Sequence, residues 1–311
     1  TSEEYKVSQS GPKTKIVLTV VRQGESEPLI FTIIRDIIQI QSVKSEVLED
    51  SVAYVRITQF QEKTGLKLAE ALKKRFSEID NNVDGIILDL RNDPGGLLNS
   101  AVAVTSAFIP ENTLVVYTEG RVRNSSMKLF SRPEHYLRSG SKNYLADLPE
   151  KTKTVPMVVL INNGSASASE IVAGALQDHS RAVIMGTQSF GKGSVQTILP
   201  LNNGTAIKLT TARYFTPKGR SIQAKGITPD IVVSQATIKE DDESRFQVSE
   251  KDLSRALDTD NQASNNELLD EDSTNDADNE SIQPNSIVNA NDYQLNQALN
   301  LIKALNITNS M

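Results

Sequence analysis

Ser167 and Lys192 are the residues whose setting most directly suggests chemistry. The apolar run 158–161 breaks at residues 162–164 and resumes with helical spacing, which predicts a strand, a turn and a helix with Ser167 at the junction. A second apolar run, residues 182–185, ends in a glycine-rich loop that carries Lys192. The pattern therefore places a serine and a lysine at the ends of neighbouring elements.

Ser167 also has an ordinary structural explanation. The segment from Ser167 to Glu170 precedes an apolar run and matches the capping box, in which the serine caps the helix and the glutamate reaches back to it. A catalytic role is favoured by the small neighbours, which leave the hydroxyl approachable, and by the N–H groups of a helix N-terminus, which can stabilise an oxyanion. Both explanations stay open at this point.

A serine nucleophile needs a base, and the chain has only two histidines. His135 lies in a polar segment, and His179 follows a predicted helix, where a histidine that complements the helix dipole is the commoner explanation. Lysine replaces histidine in Ser-Lys hydrolases, but an ordinary lysine has a pKa of about 10.4 and must be desolvated to act as a base at neutral pH. Lys192 lies between Gly191 and Gly193, a setting that permits close packing and desolvation.

Two other motifs cover the same lysine. Residues 186–193 nearly match a phosphate-binding loop, but Gly193 stands where that loop needs Ser or Thr, and a strand rather than a helix follows. Residues 189–192 match the SxxK of penicillin-binding proteins and β-lactamases. The companion pieces, at residues 63–65 and 141–143, run in the reverse order, and glycines around the lysine oppose the helix that SxxK needs. Both motifs are disfavoured.

The elements that must position the serine and the lysine form two similar units. A strand, a glycine-rich turn and a helix are predicted at residues 85–108, with Gly95 and Gly96 in the turn, and again at residues 156–178. Such alternation predicts an α/β fold with a mostly parallel sheet and helices packed on it. Ligands then belong at the carboxyl ends of the strands, where both glycine-rich turns would lie.

The remaining elements are less informative about function. We expect a helix over residues 64–79 to bury Leu66, Leu68, Ala69, Leu72 and Phe76. A helix over residues 292–305 carries an apolar stripe that must dock on the body or on a second subunit. The other predictions are a hairpin at residues 15–35, strands at 51–57, 197–201 and 206–214, and a long polar surface excursion at 119–150.

Composition excludes several classes of protein. The chain of 311 residues has 38% apolar and 23% charged residues, which is ordinary for a globular protein. It has no cysteine, no basic-then-apolar signal pattern at its start, and no run approaching the roughly 20 apolar residues of a membrane span. Residues 239–285 hold 15 acidic and 4 basic residues, so the net charge of −6 belongs to one segment. Nothing in the remainder is clustered enough to predict nucleic-acid binding.

Three long motifs in order carry a family resemblance. Residues 162–196, with LDLRNDPGG at 88–96 and YFTPKGRSIQAKGITPD at 214–230, resemble the carboxyl-terminal processing proteases, PDZ-containing serine endopeptidases of the S41 family. The resemblance covers roughly residues 10–232 and the final helix. It implies a crotonase/ClpP-like core at residues 41–238, after the C-terminal remnant of a PDZ domain at 1–40 whose carboxylate-binding loop lies upstream. We expect residues 239–289 to be acidic and flexible, and 290–311 to be a docking helix.

The resemblance also assigns residue roles. It implies that Ser167 is the nucleophile, that Lys192 is the general base, and that Gln196 orients the lysine. The oxyanion hole is expected from the backbone N–H groups of Ala168 and of Gly95 or Gly96, and neither a metal nor a cofactor is expected. One departure is Asp93, where the family usually has asparagine.

The expected activity is therefore peptide-bond hydrolysis near protein C-termini through an acyl-enzyme, in the periplasm or cell envelope. Expected partners are protein or peptide substrates, and the resemblance leaves room for an adaptor protein and for self-association through the last helix. The alternative is a latent or non-catalytic peptide-binding scaffold with the serine and the lysine held apart. An NTPase is a distant third.

Overall fold

The N-terminal hairpin forms a small unit of its own. The computed structural model describes residues 13–36, 41–80, 82–120, 126–201, 205–236, 288 and 291–309, and the chain divides into two compact units, 1–41 and 42–311. In the first unit, β1 (Lys15–Val20) pairs antiparallel with β2 (Leu29–Ile34), which confirms the predicted hairpin. Much of its apolar surface is exposed, including Ile30 and Ile34.

The second unit consists of two sheets and the helices around them. In chain order its elements are β3 (Val43–Leu48), β4 (Val52–Ile57), α1 (Thr64–Glu78), β5 (Gly85–Asp89), α2 (Leu98–Ser106), β6 (Leu114–Gly120), β7 (Met127–Phe130), α3 (Pro133–Tyr136), α4 (Lys151–Thr154), β8 (Met157–Ile161), α5 (Ala168–Asp178), β9 (Val183–Gly186), β10 (Ser194–Pro200), β11 (Ala206–Phe215), β12 (Ile231–Val232) and α6 (Tyr293–Asn309).

A six-stranded sheet forms the centre of this unit. Its order is β12-β9-β8-β5-β4-β3, with β3 antiparallel to β4 and every other pair parallel. Strands β5 and β8 are buried along their whole length, because helices cover both faces of the sheet. Their residues are therefore apolar on both faces instead of alternating between apolar and polar. The predicted mostly parallel α/β sheet is confirmed. Since β5 and β8 are neighbours, the two glycine-rich turns that follow them lie at the same edge.

The two faces of this sheet are covered by different helices. Helices α1, α2 and α5 bury their apolar sides on one face, against alternate strand residues such as Leu88 and Val159. Helix α6 covers the other face, where Leu295, Leu299 and Ile302 pack with Tyr54, Ile87 and Leu160 among others. The apolar stripe of the last predicted helix therefore docks on the body of this chain.

A second, antiparallel sheet carries β10 at its end, in the order β10-β11-β6-β7. The register of β10 on β11 shifts between Val195 and Gln196, which marks a β-bulge. Side chains on this pair are largely exposed, with Ile198 at 65%. The β10 end of this sheet is thus more exposed to solvent than the six-stranded sheet, whereas Val115 and Val116 of β6 are fully buried.

Three sequence predictions need correction. Strand β3 was not predicted, because only Val43 among its residues is buried and its alternation is weak. The excursion at residues 119–150 contains β7, which pairs with β6, and the buried Tyr136. Leu66 is half-buried instead of belonging to the core face of α1. The expected flexible segment 239–289 lies almost entirely outside the described residues.

Candidate active site

Ser167 occupies a strained position between β8 and α5. It adopts φ +56° and ψ −107°, a conformation that costs free energy for a residue with a Cβ and that occurs often at functional sites. The turn before it is fixed by Ser165, whose hydroxyl accepts the Asn162 N–H at 3.0 Å and donates to the Leu90 carbonyl at 2.8 Å. The side chain of Ser167 is half-buried at the beginning of the helix.

Glu170 is a fully buried carboxylate that joins residues 162–167, which we call the serine turn, to residues 187–193, which we call the lysine loop. Its Oε2 accepts the backbone N–H groups of Ser167 at 2.7 Å and Lys192 at 2.9 Å. Its Oε1 accepts the Ser189 hydroxyl and the Gly191 N–H, both at 2.6 Å. The glutamate of the predicted capping box therefore does more than cap α5: it fixes the backbones of both candidate catalytic residues relative to each other.

Residues 91–96, which we call the oxyanion turn because the sequence predicts an oxyanion donor among them, pack directly on the serine turn. The Asp93 carbonyl accepts the Ala166 N–H at 2.9 Å and the Ser169 hydroxyl at 3.0 Å. Gly95 has φ +92°, and a Cβ there would lie 2.5 Å from the Ala166 carbonyl oxygen and 2.9 Å from the Ser167 Cβ. Only glycine permits this approach of the two backbones.

The candidate oxyanion donors differ in their present partners. The Gly95 N–H donates to the Asp93 carboxylate at 2.8 Å. In the part of the chain that the structure describes, the N–H groups of Gly96 and Ala168 make no hydrogen bond with another protein group. Gly96 is fixed nonetheless, because its neighbour Leu97 donates to the Phe60 carbonyl at 2.8 Å. The residues that directly follow Ser167 and Gly95 therefore each have an N–H group without a protein partner in the described part of the chain.

Asp93 brings an ionisable group into the floor of this turn. Its side chain is fully buried, and its Oδ2 has no hydrogen-bond partner among the described residues. Burial raises the pKa of Asp93 to about 7, although the Gly95 N–H acts in the opposite direction. The oxyanion turn thus contains a carboxyl that changes charge near neutral pH.

Lys192 differs from the sequence-based expectation. Its backbone is fixed by Glu170 and its glycine neighbours are buried, but its side chain is exposed, so the expected desolvation is absent. A Cβ on Gly193 would lie 2.3 Å from the Gln223 backbone N, which shows that the glycines, not the lysine, make the close contacts. Among the described residues, no hydrogen bond joins Lys192 Nζ to Ser167 Oγ, and Gln196 is also exposed.

The histidines have other partners. His135 Nδ1 accepts the Phe130 N–H at 2.8 Å, and His179 Nε2 lies 2.7 Å from the Leu114 carbonyl, to which it donates. Within the described ranges, no group of three metal-binding side chains is placed to hold an ion. A cavity of about 470 Å³ between α1 and residues 136–147 includes none of the predicted site residues in its lining. Neither the histidines nor this cavity therefore supplies a partner for Ser167 within the described residues.

Sequence reasoning missed two contributors to the site. Ser189 was considered only as part of SxxK, whereas its hydroxyl donates to Glu170 and accepts the Ile227 N–H at 2.6 Å. Arg91 is part of the LDLR motif, but no local pattern predicts that it donates hydrogen bonds to Asp292 and Gln294 at the beginning of α6. The site that results has a serine at a strained strand-to-helix junction beside a glycine-rich turn, which is typical of serine hydrolases built on α/β sheets.

Comparison with known proteins places the chain in a family. The model of peptidase family S41 matches residues 51–233, which include five strands of the six-stranded sheet, all but β3, and the segments of Ser167 and Lys192. The chain is 51% identical over 223 residues to the carboxy-terminal-processing protease of Bartonella bacilliformis, and 37% identical over 242 residues to the carboxyl-terminal-processing protease of Synechocystis sp.. It belongs to peptidase family S41.

These similarities cover most of this chain but only part of the relatives. The two alignments include 71% and 76% of the chain, which spans about half the length of the relatives, at 48% and 52%. A solved structure, the photosystem II D1 C-terminal processing protease, matches with a TM-score of 0.51 and 27% identity over 74% of this chain and 59% of its own. The fold is therefore the mixed α/β fold of the S41 peptidases. None of the helices in the described ranges is long and apolar enough to cross a membrane.

Proposed function

We propose that this chain is the catalytic part of a serine endopeptidase that hydrolyses protein substrates near their C-termini. The observation that carries the proposal is the conformation of Ser167, which precedes α5 at φ +56° against Gly95, while the N–H groups of Ala168 and Gly96 have no protein partner among the described residues. A strained backbone at Ser167 together with N–H donors that have no protein partner is difficult to explain by the requirements of folding alone. The names of the relatives supply the substrate class.

The proposed reaction is acyl transfer. Neutral Lys192 takes the Ser167 proton, the alkoxide attacks a peptide carbonyl, and the lysine returns the proton to the leaving amine. Water then hydrolyses the acyl-enzyme. The Ala168 N–H and an oxyanion-turn N–H stabilise the tetrahedral oxyanion, and Gly96 is the better candidate while Gly95 donates to Asp93.

In this proposal Gln196 orients Lys192, because an amide can accept from the lysine without adding a negative charge that would keep it protonated. The exposure of Lys192 and Gln196 means that a bound substrate must complete the arrangement by covering both side chains. Assembly on binding is an established way to couple catalysis to the correct substrate. The buried Glu170 keeps the Lys192 backbone within reach while this happens.

The second candidate function is a latent or non-catalytic peptide-binding scaffold. It is favoured by one observation, the exposed Lys192 without a hydrogen bond to Ser167 in the described part of the chain. Under this alternative the hairpin β1–β2, which we propose to be the end of a PDZ domain, would bind peptides together with sheet edges. We place the activity in the periplasm or cell envelope, following the family resemblance.

Substitution of Lys192 separates the two functions. With unfolded casein as substrate, Lys192→Ala is expected to lower the cleavage rate by about 10²- to 10⁴-fold, the usual contribution of a general base. Lys208→Ala is the matched control, since Lys208 is an exposed lysine on the adjacent strand β11, and it should cleave at the wild-type rate.

Equal rates for Lys192→Ala and wild type would exclude the Ser-Lys mechanism. If the wild-type chain binds casein but does not cleave it, the measurement is repeated with a longer chain that carries a PDZ domain before β1. Continued inactivity of that longer chain would support the scaffold instead.

A further inference from the structure

The guanidinium of Arg91 connects the oxyanion turn to helix α6. It donates to both carboxylate oxygens of Asp89 at 3.0 and 2.7 Å, and to both oxygens of Asp292 at 2.9 and 2.6 Å. A further bond of 3.0 Å reaches the Gln294 side-chain oxygen. All five N–H donors of the guanidinium are thereby used. An arginine so completely paired has one geometry, which makes it suitable for fixing the segment that carries it.

This network is buried and charged. Asp89 is fully buried and Arg91 is 8% exposed, and Asp89 also accepts the Tyr54 hydroxyl at 2.8 Å and lies 3.7 Å from Arg56. Burial by itself lowers the pKa of Arg91, but the hydrogen bonds to Asp89 and Asp292 raise it above its ordinary value. The guanidinium is therefore cationic, and loss of one carboxylate would leave it undercompensated away from water.

Asp292 also organises the beginning of α6. Its Oδ1 accepts the Leu295 N–H at 3.1 Å, which is an N-cap interaction, and the neighbouring Gln294 donates to the Val233 carbonyl at 2.7 Å. The apolar side of the helix then packs on the sheet, where Ile302 comes so close that a Cβ on Gly85 would lie 2.6 Å from it. The carboxylate on which Arg91 depends is thus fixed by the docked helix.

The connection continues from Arg91 to the serine turn. Asn92, the next residue, donates its N–H to the Asn162 side chain at 2.9 Å and accepts from it at 3.0 Å. Asp93 then accepts from Ala166, the residue before Ser167, at 2.9 Å. Consecutive residues of the oxyanion turn therefore contact α6 on one side and the serine turn on the other.

We infer that Arg91 and Asp292 are positioning residues through which helix α6 sets the geometry of the oxyanion turn beside Ser167. Neither residue touches the reacting atoms. The inference rests on the proposed peptidase function for its catalytic consequence, but the mechanical link between α6 and the turn is independent of it.

The test compares three versions of the chain. Asp292→Asn retains a good N-cap residue while it removes the charge that pairs with Arg91, so loss of the ion pair is separated from loss of the cap. Asp292→Glu restores the charge. Lys303→Ala is the matched control, because it breaks the exposed 2.8 Å ion pair of α6 with Glu49 and leaves Arg91 intact.

Amide hydrogen exchange is measured first, since it needs no activity, at the residues after Arg91 whose N–H groups are hydrogen-bonded, Asn92, Asp93 and Gly95. We expect exchange to be at least about tenfold faster in Asp292→Asn and at the wild-type rate in Lys303→Ala. On casein-derived peptides, Asp292→Asn should lower kcat by about ten- to a hundredfold with KM changed less than about twofold, and Asp292→Glu should recover part of this loss.

The inference is overturned, whatever the activity, if these amides exchange at the wild-type rate in Asp292→Asn. It is also overturned if Lys303→Ala accelerates their exchange as much as Asp292→Asn does. Faster exchange with unchanged kcat would also overturn it, because the turn would then have no positioning role. If the wild-type chain cleaves no peptide, the proposed function fails, and the exchange measurement alone still decides whether α6 sets the turn.

Discussion

Ser167 and Lys192 lie in parts of the molecule that are built differently. Ser167 begins a buried helix, next to the six-stranded sheet, and the oxyanion turn packs on it. Lys192 precedes the strand β10 of an antiparallel sheet with exposed side chains on that strand. One buried carboxylate, Glu170, joins the two backbones. The comparison indicates that the proposed nucleophile, Ser167, is preorganised, whereas the proposed base, Lys192, depends on what covers it.

The largest expected effect tests the preorganised part. Ser167→Ala should lower casein cleavage by about 10⁴-fold or more, because no other group replaces the nucleophile. Its unfolding midpoint should barely change, since alanine keeps the Cβ in the same backbone conformation. Ser180→Ala is the control, since Ser180 is also a serine at positive φ but is exposed at the end of α5. If Ser167→Ala still cleaves casein, Ser167 is not the nucleophile, and the contrast between a preorganised Ser167 and an exposed Lys192 has no catalytic meaning.

The second effect concerns the titration of Asp93. The folded protein, with an Asp93 pKa of about 7, keeps a proton that the unfolded chain loses above about pH 4, so Asp93 makes stability fall between about pH 4 and pH 7. The shift corresponds to a loss of about 4 kcal/mol across that range. Asp93→Asn removes this dependence.

Urea unfolding from pH 4 to pH 8 measures the difference between Asp93→Asn and wild type. The free energy of unfolding of Asp93→Asn relative to that of the wild type should increase as the pH rises to about 7 and then stay constant. A difference that is constant with pH would show that the carboxyl in the oxyanion turn does not titrate in this range.

The third effect tests the link between the two parts. Glu170→Gln directs an amide N–H₂ at groups that are themselves donors, so we expect a loss of about 3 kcal/mol in the free energy of unfolding. Glu134→Gln, on the exposed α3, should be neutral to within about 0.5 kcal/mol. Denaturant unfolding of both variants checks this, and equal stabilities would show that the buried carboxylate is not needed.

The smallest effect compares the two sheets directly. Ile184 in β9 is fully buried and Ile198 in β10 is 65% exposed. Ile184→Val should cost about 1 kcal/mol, whereas Ile198→Val should cost less than about 0.5 kcal/mol. Similar losses at both positions would mean that β10 is covered in solution, by a partner or a second copy, and that the contrast between the sheets is smaller than the structure indicates.

Local sequence patterns were sufficient for the serine part of the site. The apolar run 158–161, the small-residue turn and the helical spacing predict the junction at Ser167, and two such units predict a parallel sheet with both turns at one edge. The capping-box pattern also predicts the contact from Glu170 to the Ser167 N–H. These features depend on residues that are close together in the chain, so a short stretch of sequence is enough to predict them.

The exposure of Lys192 and the pairing of Arg91 with helix α6 could not be predicted from local sequence patterns. The glycines beside Lys192 were expected to bury it, but they pack their own backbones on residues 222–226 and leave the lysine outside. Strand β3 is a weakly alternating edge strand, and the pairing of β7 with β6 places part of the 119–150 excursion in a sheet. Which donors reach Glu170, and which carboxylates reach Arg91, depends on tertiary packing and leaves no periodic signal.

The pairing of Arg91 with Asp292 also has a consequence for synthesis. The two residues are 201 positions apart, so at about 5–20 residues per second the ribosome adds Asp292 roughly 10 to 40 s after Arg91. The serine turn and the lysine loop are synthesised within that interval, so the oxyanion turn still lacks its anchor in α6 when they appear. If Arg91 positions the oxyanion turn as we infer, that turn reaches its final geometry only after residue 292 has been synthesised and has left the ribosome.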